Sequence, residues 1–553
     1  MAPPLHSETT GLIVALLATC TSGRGENLNV LPKNSGKTMM RSYLRRLADA
    51  DFARRKKVIA SLTSVEKIEQ HQQRMQTFFW RQLGGMPKRT PLNAKIVGRL
   101  RVDRCRIEKV IFESRPNHFV TATLYLPVGK GPFPAVLIPC GHTHAGKASN
   151  QRLGIFFAQS GIAAFTYDPI GQGERYQILD GKGKNRFKST TEHTLVGISC
   201  ILVGRSTASY RVWDGIRAID YLVSRKDIDS SRIGCTGVSG GGTLTEYLMA
   251  LDERIQCAAP ACAPMTFARR LATIGPGDAE QNIYGQIAFG MDHSDYTHMR
   301  APKPTLILAA TRDFVDIQGA WDLFREAKQI YTRMGKSERV DIIEADAKHG
   351  FSLKLREGSV RWMRRWLLGK DDAVSEPEVK TLPFRQLLCT KTGQAQQIEN
   401  AKSVMDLNLD VVKKYEATRK ELWKPGNRKK ALSMVRRLAG IRELSKIPKP
   451  KMKSHGIAKR NGVEIEKLTL TPEKGITLPA LLFKPMRLTG DKILYANGTG
   501  KQKIIATAEA LAKEGNLVLA IDVRGIGETG STTVNRWGGS FDDIFLAYLL
   551  GKS

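Results

Sequence analysis

Apolar residues recur at helical spacing early in the chain and in short unbroken runs further on. Residues 40–83 carry Val65, Ile68, Met75, Phe78 and Phe79 at near-helical spacing, after a break near 61–64 where Thr63 or Ser64 can cap a second helix. Residues 94–102, 106–114 and 120–127 have strand length and lie close together, which predicts an antiparallel start to a sheet. The runs 133–139, 304–310 and 340–344 are short, apolar and bounded by turn signals, as in strands buried within a parallel sheet. Helical stretches at 243–251 and 318–334 separate such strands. The predicted fold class is therefore α/β, with a mostly parallel central sheet and helices on both faces.

Within that pattern, Gly237-Val238-Ser239-Gly240-Gly241 fits G-x-S-x-G between a strand (227–235) and a helix. A serine on a sharp strand-to-helix turn is exposed for attack, and glycines beside it avoid clashes as the chain reverses. The motif alone also describes an idle tight turn, so the rest of a catalytic set must be found. Thr311-Arg312-Asp313 ends the strand 304–310, where open α/β sheets place functional groups. Asp313 is the preferred acid and Asp316 its rival. His349 follows one βαβ step later. The order serine, acid, histidine is that of the α/β-hydrolases, with His349 as base and Asp313 as the group that orients it. Backbone N–H groups of Gly240 and His142 are the expected oxyanion donors, because one must follow the nucleophile and the other lies after an early strand. His142 and His144 lack a third ligand at metal-binding spacing, so no metal and no cofactor are expected.

With these pieces placed, the chain resembles the serine α/β-hydrolases of the acetyl xylan esterase and dienelactone hydrolase-like group over roughly residues 90–370. The likeness rests on Pro139-Cys140-Gly141-His142, on 167–175 (Tyr-Asp-Pro-Ile-Gly-Gln-Gly-Glu-Arg), on the turn at Ser239, on 310–314 and on Lys348-His349-Gly350-Phe351. It implies an α/β-hydrolase fold and removal of acyl groups, often acetate, from sugars by a triad serine. Two departures stand out. Acetyl xylan esterases of this kind usually carry Gln after the serine, where this chain has Gly240, and dienelactone hydrolases carry Cys where this chain has Ser239. The implied partner is a small-molecule or polysaccharide ester, with no specific nucleic acid and no membrane span. The oligomeric state is left open. A serine peptidase of the prolyl-oligopeptidase type would share the triad, but the residues before the first strand are too few for a propeller. A non-catalytic polyanion-binding protein is the alternative from another class.

Composition sharpens parts of this picture. At 553 residues the chain exceeds one ordinary core, and two or more domains are expected. The net charge of +33 would suit polyanions, yet Lys and Arg are spread along the chain and no nucleic-acid-reading motif accompanies them. Eight cysteines in mostly apolar contexts read as buried thiols, with Cys257 and Cys262 close enough in sequence to pair. Residues 11–18 form an apolar run of signal-peptide length before Cys20, which would make the protein secreted or periplasmic. No Lys or Arg precedes the run, so a cytoplasmic chain is the alternative.

The chain also repeats itself. Residues 109–127 align without gaps to 467–485, Gly146-Lys147 to Gly500-Lys501, 167–174 to 521–528 and 201–206 to 548–553. Such self-similarity suggests a tandem duplication. The expected organisation is a flexible N-terminus with a candidate signal peptide (1–39), a helical lead-in (40–90), a catalytic domain (91–370), a linker (371–397), a helical segment (398–450) and an incomplete second unit without a triad (451–553). That second unit is expected to pack on the first or to be poorly ordered. A chain ending near Val374 is then expected to retain activity.

Overall fold

The computed structural model describes residues 27–530 and 541–552. The apolar run 11–18 and Cys20 lie outside the described residues. Two compact units are present: one holds residues 41–447 and 541–552, and the other holds 27–40 and 448–530.

The larger unit is built on a nine-stranded sheet: β1 (Lys95–Val102), β2 (Cys105–Arg115), β3 (His118–Pro127), β4 (Phe133–Leu137), β5 (Ala163–Tyr167), β6 (Ile228–Val238), β7 (Ile255–Ala261), β8 (Thr305–Arg312) and β9 (Val340–Lys348). Their order is β1-β2-β3-β5-β4-β6-β7-β8-β9. The first three strands and the β3–β5 pair are antiparallel, and every pairing from β5 to β9 is parallel. Strand alternation divides the core in two. Ala135, Leu137, Ala163 and Phe165 meet the helices Thr207–Val223 and Gly240–Leu251 on one face. Val136, Ile138 and Ala164 meet Gln151–Gln159 and Leu353–Leu368 on the other.

The lead-in forms two helices, Met39–Ser61 and Val65–Gln82, and Ser64 caps the second by accepting from the Lys67 N–H. Met75, Phe78 and Phe79 enter the main core. Arg55 is buried between Asp295 (2.8 Å) and Glu326 (2.6 Å), whereas its neighbours Arg54, Lys56 and Lys57 are exposed. The seven described cysteines are free, Cys257 and Cys262 included. No helix among the described residues is long and apolar enough to cross a membrane.

Two expectations need correction. Residues 371–397 are not a detached linker. Glu376 bonds Arg152 and Arg356, Leu382 N–H donates to Gln151, and Leu387 is buried in the core. Mixed charge and prolines mark this stretch as irregular, but irregular backbone can still be laid along a sheet when its donors find acceptors. The single helical segment beyond it is three shorter helices, Val404–Lys414, Glu416–Leu422 and Arg428–Leu438, interrupted before the last by Pro425. Ser403 and Asp406 form a capping box on the first, whose Val404 and Leu407 pack against Ile170, Val196 and Tyr210.

The smaller unit has a five-stranded sheet: β10 (Lys451–Arg460), β11 (Val463–Glu473), β12 (Ile476–Lys484), β13 (Lys492–Ala496) and β14 (Leu517–Ile521), in the order β10-β11-β12-β14-β13. This repeats the order and direction of β1 to β5. A buried ion network repeats too. In the larger unit Lys147 Nζ donates to Asp168 (2.6 Å) and Glu174 (2.5 Å), and its backbone N–H donates to Asp168 (2.7 Å). In the smaller, Lys501 Nζ donates to Asp522 (2.7 Å) and Glu528, and its N–H to Asp522 (2.6 Å). The backbone donors that complete Glu174 come from Cys389 and Thr390, and those completing Glu528 come from Val30 and Leu31. The helix Phe541–Leu549, expected to belong to the second copy, sits in the larger unit. There Tyr548 stacks edge-on to Tyr284, and Asp542 pairs with Arg41.

One buried acid makes the stability of the larger unit pH-dependent. Glu246, in the helix Gly240–Leu251, is enclosed, and neither carboxylate oxygen has a hydrogen-bond partner. Burial drives its pKa well above the ordinary value of 4.5; Arg270 pulls it down and Asp292 pushes it up, both by less. The folded protein therefore holds a proton here that the unfolded chain releases above about pH 4.5, so stability falls as pH rises through that value. Glu246→Gln keeps the shape without the charge. Its melting temperature should exceed that of the wild type at pH 8, and the gap should close near pH 4, as read by calorimetry.

Candidate active site

Ser239 sits between β6 and the helix Gly240–Leu251 with φ 60° and ψ −127°. Positive φ on a residue with a Cβ costs about 1–3 kcal/mol and persists only when its surroundings fix it. Here the Ser239 N–H donates to the Ala261 carbonyl (2.9 Å), while its own carbonyl accepts from Thr243 N–H (2.9 Å). Gly241 is required by close approach, since a methyl group there would fall on the Pro139 carbonyl oxygen. Gly240 is explained the same way. A Cβ on it would lie 2.8 Å from the His142 imidazole, so the ring occupies the place a longer side chain would need.

Asp313 and Asp316 are separated by what they hold. Asp313, its side chain 1% exposed, accepts from His349 Nδ1 at 2.7 Å and from Val315 N–H at 2.9 Å. Asp316 instead caps the helix Ile317–Arg333 through Gly319 N–H and pairs with Arg269. With Nδ1–H given to Asp313, Nε2 of His349 is left as the basic nitrogen. Phe314 lies against the imidazole, ring centres 4.2 Å apart, and steadies its plane. His349 and Ser239 line one cavity of about 370 Å³ together with Gly141, His142, Leu153, Phe351 and Arg356. The structure thus joins Asp313 to His349 and sets His349 and Ser239 on one cavity, from the ends of β6, β8 and β9.

The predicted oxyanion positions adjoin Ser239. Gly240 is the first residue of its helix, where an N–H has no intrahelical carbonyl to meet and the dipole is positive. The loop carrying His142 is braced by Gln172, whose amide donates to the carbonyls of Gly141 (2.5 Å) and Thr143 (2.8 Å).

Sequence reasoning did not find the polar cluster behind this loop. His142 Nε2 meets Glu280 Oε1, and Arg211 donates to the same oxygen at 2.8 Å. His193 Nδ1 meets Asp278 Oδ2 at 2.9 Å, and its Nε2 meets the Ile170 carbonyl at 2.8 Å. Burial lowers the pKa of His193, but the charges of Glu280 and Asp278 and the hydrogen bond to Asp278 prevail and hold it up at about 10. His144, once paired with His142 by spacing, turns away to the Tyr176 hydroxyl. The only sequence signal was the turn Gly275-Pro276-Gly277 leading into Asp278 and Glu280. Also missed was Glu376, whose buried carboxylate is shared by Arg152 and Arg356 at the cavity wall.

A strained serine on a strand-to-helix turn, above a parallel sheet and beside an Asp–His pair, defines a serine α/β-hydrolase. Residues 62–290 match the family described as Acetyl xylan esterase (AXE1), so the larger unit is a carboxylic-ester hydrolase of the carbohydrate-esterase kind. The matched stretch includes the nucleophile turn and stops before Asp313 and His349. A putative hydrolase of Bacillus subtilis (strain 168), YtaP, is 23% identical over 295 residues, covering 52% of this chain and 97% of that protein. The solved structure of methylesterase BT1017 shares the fold at TM-score 0.51 and 21% identity, over 70% of this chain and 80% of that one. A putative acetyl xylan esterase of Bacteroides fragilis NCTC 9343 aligns over 51% of this chain and 76% of its own, at TM-score 0.42 and 17% identity.

Proposed function

We propose that the larger unit removes acyl groups from a carbohydrate through an acyl-enzyme on Ser239. The observation that carries this reading is the 2.7 Å bond between Asp313 and His349, in the cavity that Ser239 lines. His349 Nε2 takes the Ser239 proton as the hydroxyl attacks the ester carbonyl. Asp313 fixes the tautomer and stabilises the imidazolium. The backbone N–H groups of Gly240 and His142 receive the oxyanion. His349 then returns the proton to the leaving sugar oxygen, and water repeats the sequence on the acyl-enzyme. Every step uses side chains or backbone already in the cavity.

The cavity wall supports an anionic sugar as the alcohol or acid part. Arg152 and Arg356 share one carboxylate, which leaves one positive charge beside the cavity. The test is product release from two substrate sets, acetylated xylo-oligosaccharides and methyl esters of oligouronates. Release of acetate, abolished by a serine-directed fluorophosphonate that labels Ser239, supports the reading, whereas release of methanol alone would make the sugar the acyl part on the same serine. Absence of labelling and of both products would sink it.

A further inference from the structure

We propose that His142, His193, Asp278 and Glu280 bind a structural zinc ion directly behind the nucleophile turn. The four donors come from three places in the chain: the loop after β4, the helix Ser189–Ile201 and the short turn Ala279–Gln281 with its cap. Their ligand atoms all lie within 4.8 Å of one another. His193 and both acids are largely buried, and the His142 side chain is 19% exposed.

The arrangement has the marks of a ligand set. His193 gives one ring nitrogen to the Ile170 carbonyl, which fixes the ring and turns Nδ1 into the cluster. A backbone carbonyl behind a ligating imidazole is how metal-binding histidines are oriented. Glu280 Oε2 is buried 3.0 Å from that Nδ1, yet it receives no aligned hydrogen bond. An enclosed carboxylate oxygen without a donor costs free energy unless a cation meets it. Zinc bonded at about 2.0–2.1 Å to two imidazoles and two carboxylates sets donor separations near 3.4 Å. Observed separations are 3.5 Å for His142 with Asp278, 2.9 Å for His193 with Asp278 and 3.0 Å for His193 with Glu280. The two His193 separations fall a few tenths of an ångström short of that spacing and His142–Glu280 falls further short, so the donors would open outward to take the ion.

A metal ion would replace the His193 proton: with that imidazole neutral, two carboxylates against the Arg211 guanidinium leave one negative charge for the ion to offset. Mixed nitrogen and oxygen donors favour zinc over magnesium or calcium, which prefer oxygen alone. Four protein ligands leave no open position, so the ion is structural rather than catalytic. It would pin His142, and so the oxyanion loop, against Gly240.

The test is metal content and melting of the full chain, purified without a histidine tag and reconstituted with zinc. About one zinc per chain should survive dialysis, a strong chelator should lower the melting temperature, and zinc but not magnesium should restore it. The double variant His193→Gln with Asp278→Asn should retain less than about a tenth of that zinc and melt indifferently to it. Wild-type protein that keeps less than about a tenth of an equivalent, and melts alike with chelator or zinc, overturns the proposal and leaves an ion-paired cluster. If the double variant does not fold, the wild-type comparison alone decides. Neither readout depends on esterase activity.

Discussion

Replacing Ser239 with Ala should lower turnover of any ester substrate by about 10⁴- to 10⁶-fold while the protein folds and melts as before. The loss is that of the attacking oxygen itself, and the residual rate comes from binding and the oxyanion donors alone. Asp313→Asn should cost nearly as much, because the amide cannot hold the tautomer that leaves Nε2 of His349 basic. Asp316→Asn should leave turnover close to wild type, since that side chain caps a helix and pairs with Arg269. Stopped assays on the three variants, with circular dichroism as the control for folding, separate the roles. Equal activity in Ser239→Ala and wild type would remove the acyl-enzyme from consideration.

A chain cut after Val374 should lose its fold, against the expectation from sequence. The cut deletes Glu376, which pairs with Arg152 and Arg356, and Leu387, which is buried in the core. It also strips from Glu174 the donors Cys389 N–H, Thr390 N–H and the Thr390 hydroxyl, each at 2.7 Å. Hydrogen bonds to a buried charged group are worth about 1.5–3 kcal/mol each, and a domain has only about 5–15 kcal/mol in all. Soluble yield and melting temperature of the cut chain, beside one ending at Ile447, give the answer. Equal melting of the two would show that residues 375–447 add nothing.

The sheet was legible because its strands are short apolar runs between turn residues, a pattern with few alternatives. The nucleophile turn was legible because close approach of Gly241 to Pro139 admits no side chain, which leaves a mark in the sequence. Asp313 and His349 were selected by chain order and strand ends, and the structure joins the two by a hydrogen bond. Asp316 was separated from Asp313 only by geometry, since both are acids at a strand end and only the hydrogen bonds tell a cap from a partner. The cluster of His142, His193, Asp278 and Glu280 was illegible. Its members are up to 138 residues apart, and neighbours in space share no spacing along the chain. The segment 371–397 was misjudged because composition reports polarity, whereas docking depends on which carbonyls and carboxylates await a donor.

The paired lysine cradles supply an internal control. Lys147, Asp168 and Glu174 lie buried in the unit that carries Ser239, and buried charged groups there invite a chemical role. Their counterparts Lys501, Asp522 and Glu528 make the same bonds in the other unit, which does not hold Ser239, Asp313 or His349. An arrangement repeated in a unit without those three residues serves the architecture, as a rivet between a strand end and the loop beyond it.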